Sequence, residues 1–328
     1  MPALHWFAAH QDNPAIDTRE RDLLASPTDE RHIFQAATYA NRLFPLSIHW
    51  LDPELAGKNE TETLPLHWKG EGRNPIAVHR VSWDSDSLYV GIKGGSPSQN
   101  HGHMDVGSFV LDDQGVRWAT DIKGQGYRNL EERGMDIWDY SQESDRWRVF
   151  NMNTHGHNTL VIDGQHQLVD GFAPILSFSP DPGNPFTVVD MSTIYSDWAA
   201  TTIRGVRFLN AHAVLFSDRL SGLDDNRSVR WGMVTKAEVE LEANRATLRL
   251  GGKTLHATIL EPVDTVFDIV PTDPPPNEWD APNPGTRMLA LFAASDHSQL
   301  RLKVIFSREE LTPARIEEFR ALPDPIEW

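Results

Sequence analysis

From Ile76 onward the chain alternates short apolar runs with polar turns. Ile76-Ala77-Val78-His79-Arg80-Val81-Ser82-Trp83 and Leu88-Tyr89-Val90-Gly91-Ile92 place apolar side chains at every second position, the period of a half-buried strand. The same pattern predicts strands over 105–112, 116–122, 158–163, 186–195, 201–209, 212–220 and 229–236. A meander follows at 239–242, 246–250 and 255–260, turning at Gly251-Gly252, and runs at 288–293 and 299–306 complete the set. Pro271 to Pro284 reads as a surface loop and Pro313 to Leu322 as a short terminal helix. The first 52 residues follow a different period. Ser26-Pro27-Thr28-Asp29 offers an N-cap, a proline and an acid in the first turn; Ile33, Ala36, Ala37, Ala40, Leu43 and Phe44 then recur at helical spacing up to a stop at Pro45. So many strands without strand–helix–strand alternation predict a mainly β protein. The expected architecture is a large antiparallel β-sandwich over 71–328, preceded by a helical segment and linker over 1–70.

Candidate chemistry gathers just after the Gly94-Gly95 break, in Asn100-His101-Gly102-His103-Met104-Asp105. The strand that follows turns at Asp112-Asp113-Gln114-Gly115 and returns through Val116-Arg117-Trp118-Ala119-Thr120 to Asp121. A turn centred between Asp113 and Gln114 sets Asp121 opposite Val106 and His103 near Gly124, so both fall at the open end of one hairpin. A second His-Gly-His, at His155-Gly156-His157, again precedes a strand. Two imidazoles and one carboxylate held on strands suit zinc in kind and number; the alternative is histidines that merely occupy strand ends. Tyr127 follows Asp121 by six residues, which places it within reach of the same cleft or packed at a strand end. The segment from Asp136 to Arg148 is rich in aromatics and arginine. Such residues stack on sugars and fork carboxylates, or else form an amphipathic cover for the sheet. Arg204 and Arg207 alternate on an expected strand and read as solvated; His166, His212 and His256 read as structural.

Several of these blocks resemble the heparinase II/III-like family of polysaccharide lyases: Gly91 to Asp105, Gly115 to Asp121, His157-Asn158-Thr159-Leu160, Ile162-Asp163-Gly164, Arg204 to Phe208 and Val214 to Leu220. The resemblance covers roughly residues 70 to 235. It implies a β-rich C-terminal domain, with the N-terminal helices as the tail of an α/α toroid. It further implies zinc on His103, Asp121 and His157 and a place for His101 facing the substrate cleft. Catalytic duty is therefore expected of His101 and, from its spacing after Asp121, of Tyr127; the zinc, tying three segments distant in sequence, is expected to be structural. Asn100, Arg146 and Arg148 are the expected holders of a uronate carboxylate. The implied reaction is β-elimination on a uronate-containing polysaccharide, glycosaminoglycan- or alginate-like. The family also places catalytic groups on the toroid, most of which has no counterpart here, so activity is expected only with that helical region supplied. Alternatives are a non-catalytic uronate-binding β-domain and a zinc-dependent hydrolase.

Composition narrows the field. With 39% hydrophobic residues and 11 tryptophans among 328, the chain has ample core. Zero cysteines exclude disulfides and thiolate metal sites. A net charge of −17 argues against nucleic acid as partner and, among acidic polysaccharides, against heavily sulfated ones. No apolar run approaches a membrane span. The start lacks signal-peptide character, which leaves a cytoplasmic location open, whereas the resemblance implies a periplasmic or secreted one. An acidic oligosaccharide, a second copy of the chain or a helical-domain partner are the expected associations.

Overall fold

The computed structural model describes residues 3–18, 20–21, 45–54, 64–122 and 124–328. The chain divides into two compact units, Met1–Leu66 and His67–Trp328. In the first, α1 (Ala3–Gln11) and the short α2 (Leu46–Trp50) are separated by a one-turn 3₁₀ helix, Pro14–Ile16. A buried His5–Asp17 hydrogen bond of 2.8 Å ties the start of α1 to the turn beyond that helix. The helix expected between Pro27 and Phe44 lies outside the described residues. Pro45, expected as a helix stop, occupies the N-cap of α2.

In the second unit strands are the main regular element. A five-stranded sheet runs β1 (His67–Gly70), β2 (Ile76–Arg80), β3 (Tyr89–Lys93), β4 (Phe109–Asp113), β5 (Val116–Ala119), each antiparallel to the next. After α3 (Tyr127–Glu131) come β6 (Leu160–Ile162), β7 (Ile175–Ser179), β8 (Phe186–Asp190), β9 (Thr201–Asn210), β10 (Ala213–Ser221) and β11 (Ser228–Thr235). They are followed by β12 (Glu238–Glu242), β13 (Arg245–Leu250), β14 (Lys253–Glu261), β15 (Phe267–Pro271), β16 (Arg287–Ala294), β17 (Gln299–Ser307) and α4 (Pro313–Arg320). They form an eight-stranded sheet, β12-β13-β14-β17-β10-β9-β8-β7, and a four-stranded sheet, β15-β16-β11-β6.

One core joins all three sheets. Phe109 of β4 lies 4.1 Å from Phe216 of β10 and 5.8 Å from Trp231 of β11, ring centre to ring centre. The large sheet is also covered on its other face, where Ile316 and Phe319 of α4 pack with Leu215, Leu260 and Ile305. Burial on both faces is why β10 opens on a continuous apolar run, Ala213-Val214-Leu215-Phe216, rather than on an alternating one. This is the antiparallel, mainly β architecture that the sequence pattern predicts. Four elements escaped the pattern: β1, β7, β15 and α3, all five residues or fewer.

The β4–β5 hairpin corrects the expected register. The turn is centred one residue later, on Gln114-Gly115, both with positive φ (56° and 75°), and pairs Asp113 with Val116. Two residues with φ > 0 are what the twist of a two-residue hairpin requires. A register shift between Leu111 and Asp112 then carries the return strand one step further. Neither His103 nor Asp121 is on a strand; both lie just beyond the ends of the paired region.

Candidate active site

Three loops meet at this end of the five-stranded sheet: 94–108 before β4, 120–122 after β5, and 149–159 before β6. Their positions are fixed from beneath by buried polar groups. Arg204, fully buried on β9, forks onto Asp218 of β10 at 2.7 and 3.0 Å, and its remaining terminal nitrogen donates to Gly107 O and Asn158 O. Burial pushes the Asp218 carboxyl up, with the Arg204 guanidinium opposing. The expectation that Arg204 is solvated is thus wrong. Its strand is buried on both sides, and the charge is retained because it faces Asp218 across the ladder. Asn158 donates to Phe109 O and Thr120 O and accepts from the Val234 amide, which fixes the residue next to His157 against three strand ends. Gln167 does the same for the first loop, since its side-chain amide both accepts from the Val106 amide and donates to Val106 O.

The first His-Gly-His separates its two imidazoles. His101 adopts a left-handed backbone (φ 60°), and its amide donates to Tyr140 Oη at 2.9 Å. Gly102 is there for space: a Cβ would stand 2.6 Å from Pro97 O and 2.7 Å from Gln99 O. Fully buried Arg146 donates twice to Gly102 O, at 2.8 and 3.1 Å, and once to Ile137 O. This turn aims His101 outward and His103 inward. Exposed His101 stacks on Tyr127, rings 5.7 Å apart and nearly parallel, and shares a 3.2 Å hydrogen bond between Nδ1 and Tyr127 Oη. Trp138 stands edge-on to both rings, at 5.5 and 5.2 Å.

His103 lies beside His157, ring centres 5.3 Å apart. His157 Nδ1 and Asp121 Oδ1 are 2.8 Å apart, and Met104 N donates to Met152 O, so the three loops are stitched at this point. Burial, reinforced by the nearby His157, pushes the His103 imidazole down to about 4. For His157 itself burial opposes the charge, but Asp121 more than offsets it and the net direction is upward. Asp121 moves the opposite way, since the pull of His157 outweighs its own desolvation. Asp105 is paired with Lys93 at 2.7 Å.

In kind, the donors fit the zinc ion that the resemblance implies: two imidazoles and a carboxylate lie together, and His157 Nε2 is buried without a hydrogen-bond partner. Their spacing is that of a hydrogen-bonded pair with a third ring alongside, and among the described residues no three His, Asp or Glu side chains are arranged so as to hold a metal ion. His155 lies apart from the cluster, edge-on to His166 at 5.0 Å, with burial as the main cause of its pKa near 4.

The other expected site residues divide. Asn100 is exposed beside His101. Arg148 is exposed, paired with Asp145 at 2.7 Å, and lies over the Trp279 ring. Arg146 is not a surface group; it reaches only backbone carbonyls and the rings of Tyr127, Tyr140 and Trp147. Sequence reasoning missed Tyr140, Asn158 and the Arg204–Asp218 pair. A charge of each sign inside two neighbouring apolar runs was the available signal for the last.

Comparison with known proteins agrees with this geometry. The model of the family described as heparinase II/III-like, C-terminal, matches residues 78–273, more than half of the chain. Among solved structures, heparan sulfate lyase HepC from Pedobacter heparinus superposes with a TM-score of 0.59 at 13% identity, over 90% of this chain and 42% of that one. The heparinase III product of gene BT4657 gives 0.58 at 17%, over 85% and 42%. A further heparinase III structure gives 0.52 at 13%, over 71% and 35%. At these identities the likeness is one of fold, and the chain spans about two fifths of the length of the structures it matches. No curated protein matches it. With both His-Gly-His loops inside the matched span, the chain belongs to the heparinase II/III-like family of polysaccharide lyases, through that family's C-terminal domain.

Proposed function

We propose that this domain carries the proton-transfer side of a lyase that acts by β-elimination on a uronate-containing polysaccharide. The observation that carries the reading is the pair of exposed His101 and half-buried Tyr127, in mutual hydrogen-bond contact, with His101 held by a backbone that buried groups fix. Elimination needs the weakly acidic C5 proton removed and the leaving glycosidic oxygen protonated, and an imidazole sharing a proton with a phenol suits both steps. The adjacent uronate carboxylate must be quieted by neutral or cationic donors. Asn100 of the first loop and Arg148, just before the third, are exposed groups with that chemistry; Arg146 acts through the turn it holds. Zinc on His103, Asp121 and His157 is part of the same proposal. It would tie the three loops together, and its binding energy would be folding energy. Glycosaminoglycan-like and alginate-like chains are the substrate classes this chemistry admits.

The test is formation of the ultraviolet-absorbing unsaturated uronate. His101→Ala and Tyr127→Phe should each lower turnover by about 10²- to 10⁴-fold with the melting temperature unchanged. Full activity in both variants would overturn the assignment.

A further inference from the structure

We propose that Trp138 is a stacking platform for a pyranose ring beside the His101–Tyr127 pair, and that the sugar it receives is a uronate without sulfate. The inference rests on the uronate reading above and narrows it. Trp138 retains 46% exposure although its ring borders two others, and its orientation is fixed because Nε1 donates to Glu131 at 2.7 Å. An exposed indole held in one orientation loses little freedom when a sugar face covers it, which is the condition for useful stacking. The backbone beneath is equally set: Trp138 N and Asp139 N both donate to Asp136 Oδ1. Arg146 connects this loop to the catalytic turn through Ile137 O and Gly102 O, so the platform and His101 are held to one another.

The rim sets the charge of the ligand. Six carboxylates lie between Glu131 and Asp145, with Arg133 the single base among them. Among the described residues the exposed arginines nearby are paired: Arg128 with Glu132, Arg133 with Glu278, Arg148 with Asp145. A uronate brings one carboxylate per residue, which Asn100 can meet by a hydrogen bond and Arg148 by exchanging its exposed pairing with Asp145. Several sulfates per disaccharide would add charge of the same sign as these carboxylates within a Debye length.

Binding is read by calorimetry on the full chain in the Tyr127→Phe background, so that turnover does not consume the ligand. The probes are an alginate-derived and a heparin-derived oligosaccharide of equal length. The alginate oligosaccharide should bind. Trp138→Ala should weaken it about tenfold or more, while Trp138→Phe keeps most of the affinity and neither changes the melting temperature. The heparin oligosaccharide should bind more weakly at low salt and gain affinity as salt rises. Unchanged affinity in Trp138→Ala, tighter binding of heparin at low salt, or no binding of the unsulfated chain would each overturn the proposal. A chain that binds in this pattern but forms no unsaturated product would sink the elimination reading alone. One that eliminates with Trp138→Ala unimpaired would sink only this one.

Discussion

Two buried arginines hold the site with the same device, a fixed guanidinium whose N–H groups collect backbone carbonyls from loops distant in sequence. Arg146 joins Gly102 to Ile137; Arg204 joins Gly107 to Asn158 and is itself neutralised by Asp218. Because Arg204 serves both a charge and two carbonyls, its removal has separable costs. Arg204→Met should destabilise the fold by about 3–5 kcal/mol, the usual penalty for leaving a buried partner uncompensated. Adding Asp218→Leu removes the stranded charge but not the orphaned carbonyls, so the double variant should recover only part and retain a deficit of about 1–3 kcal/mol. Urea denaturation of the three proteins checks both steps. A double variant as stable as the parent would mean that the loops do not depend on Arg204. The chemical types at the site were readable from sequence: the His-Gly-His pairs, Asp121 and Tyr127 all lie at this end of the sheet. Their supports were not, because an arginine inside an apolar run looks the same whether it points to water or to a carboxylate on the next strand. Only the β9–β10 register, with Arg204 opposite Asp218, decides.

At the level of elements, the β1–β2 ladder places His67 directly across from His79, and their Nδ1 atoms are 3.1 Å apart. His79 Nε2 reaches Thr187 Oγ1 on β8 at 2.7 Å, which links the five-stranded sheet to the eight-stranded one. Phe178 and Phe208 pack around the pair, and burial, with the neighbouring His67 adding to it, pushes His79 down to about 3; burial also lowers His67. The sign follows directly. Above the ordinary histidine value of 6.5 both states are neutral and the pair has no pH dependence. As pH falls below 6.5 the unfolded chain takes up a proton that the folded one refuses, so stability drops by about 1.4 kcal/mol per pH unit per site. The loss continues down to the folded value. His79→Gln should remove one such slope between about pH 4 and 6, visible as a shallower fall of the urea midpoint. Identical slopes in parent and variant would show that His79 titrates normally in the fold. The strand pattern foretold β2 and the other long strands because one or both faces are apolar throughout. It misplaced the β4–β5 pairing because register depends on which turn residues accept positive φ, and Gln114-Gly115 rather than Asp113-Gln114 does so. It passed over β1, with only His67 buried among four residues, because so short a strand carries no period.

For the whole molecule, the question is what the outward face of this β-domain can do by itself. His101, Tyr127 and Trp138 face outward from one side, and elimination needs the sugar held against them with its C5 proton aligned. The solved relatives are more than twice as long as this chain, which leaves room in them for elements that could perform that positioning. We therefore expect the chain alone to bind unsulfated oligouronates while turning them over slowly, and a helical region supplied in cis or as a separate partner to raise kcat far more than it lowers KM. A misplacement of about 1 Å is enough to cost roughly a hundredfold in rate, so a gain of that order is the expected reading. Zinc enters the same experiment as a control. Chelation should lower the melting temperature of both forms, because the ion would join three loops, and should leave turnover per folded molecule unchanged. The measurement is initial-rate kinetics of unsaturated-uronate formation, with and without the helical region, alongside elemental analysis and thermal melts before and after chelation. If the isolated chain already runs at the rate of the completed protein, the cleft is whole as it stands and a second wall is unnecessary. If chelation stops turnover while the fold persists, the metal belongs to the chemistry of the elimination and its role is not only structural.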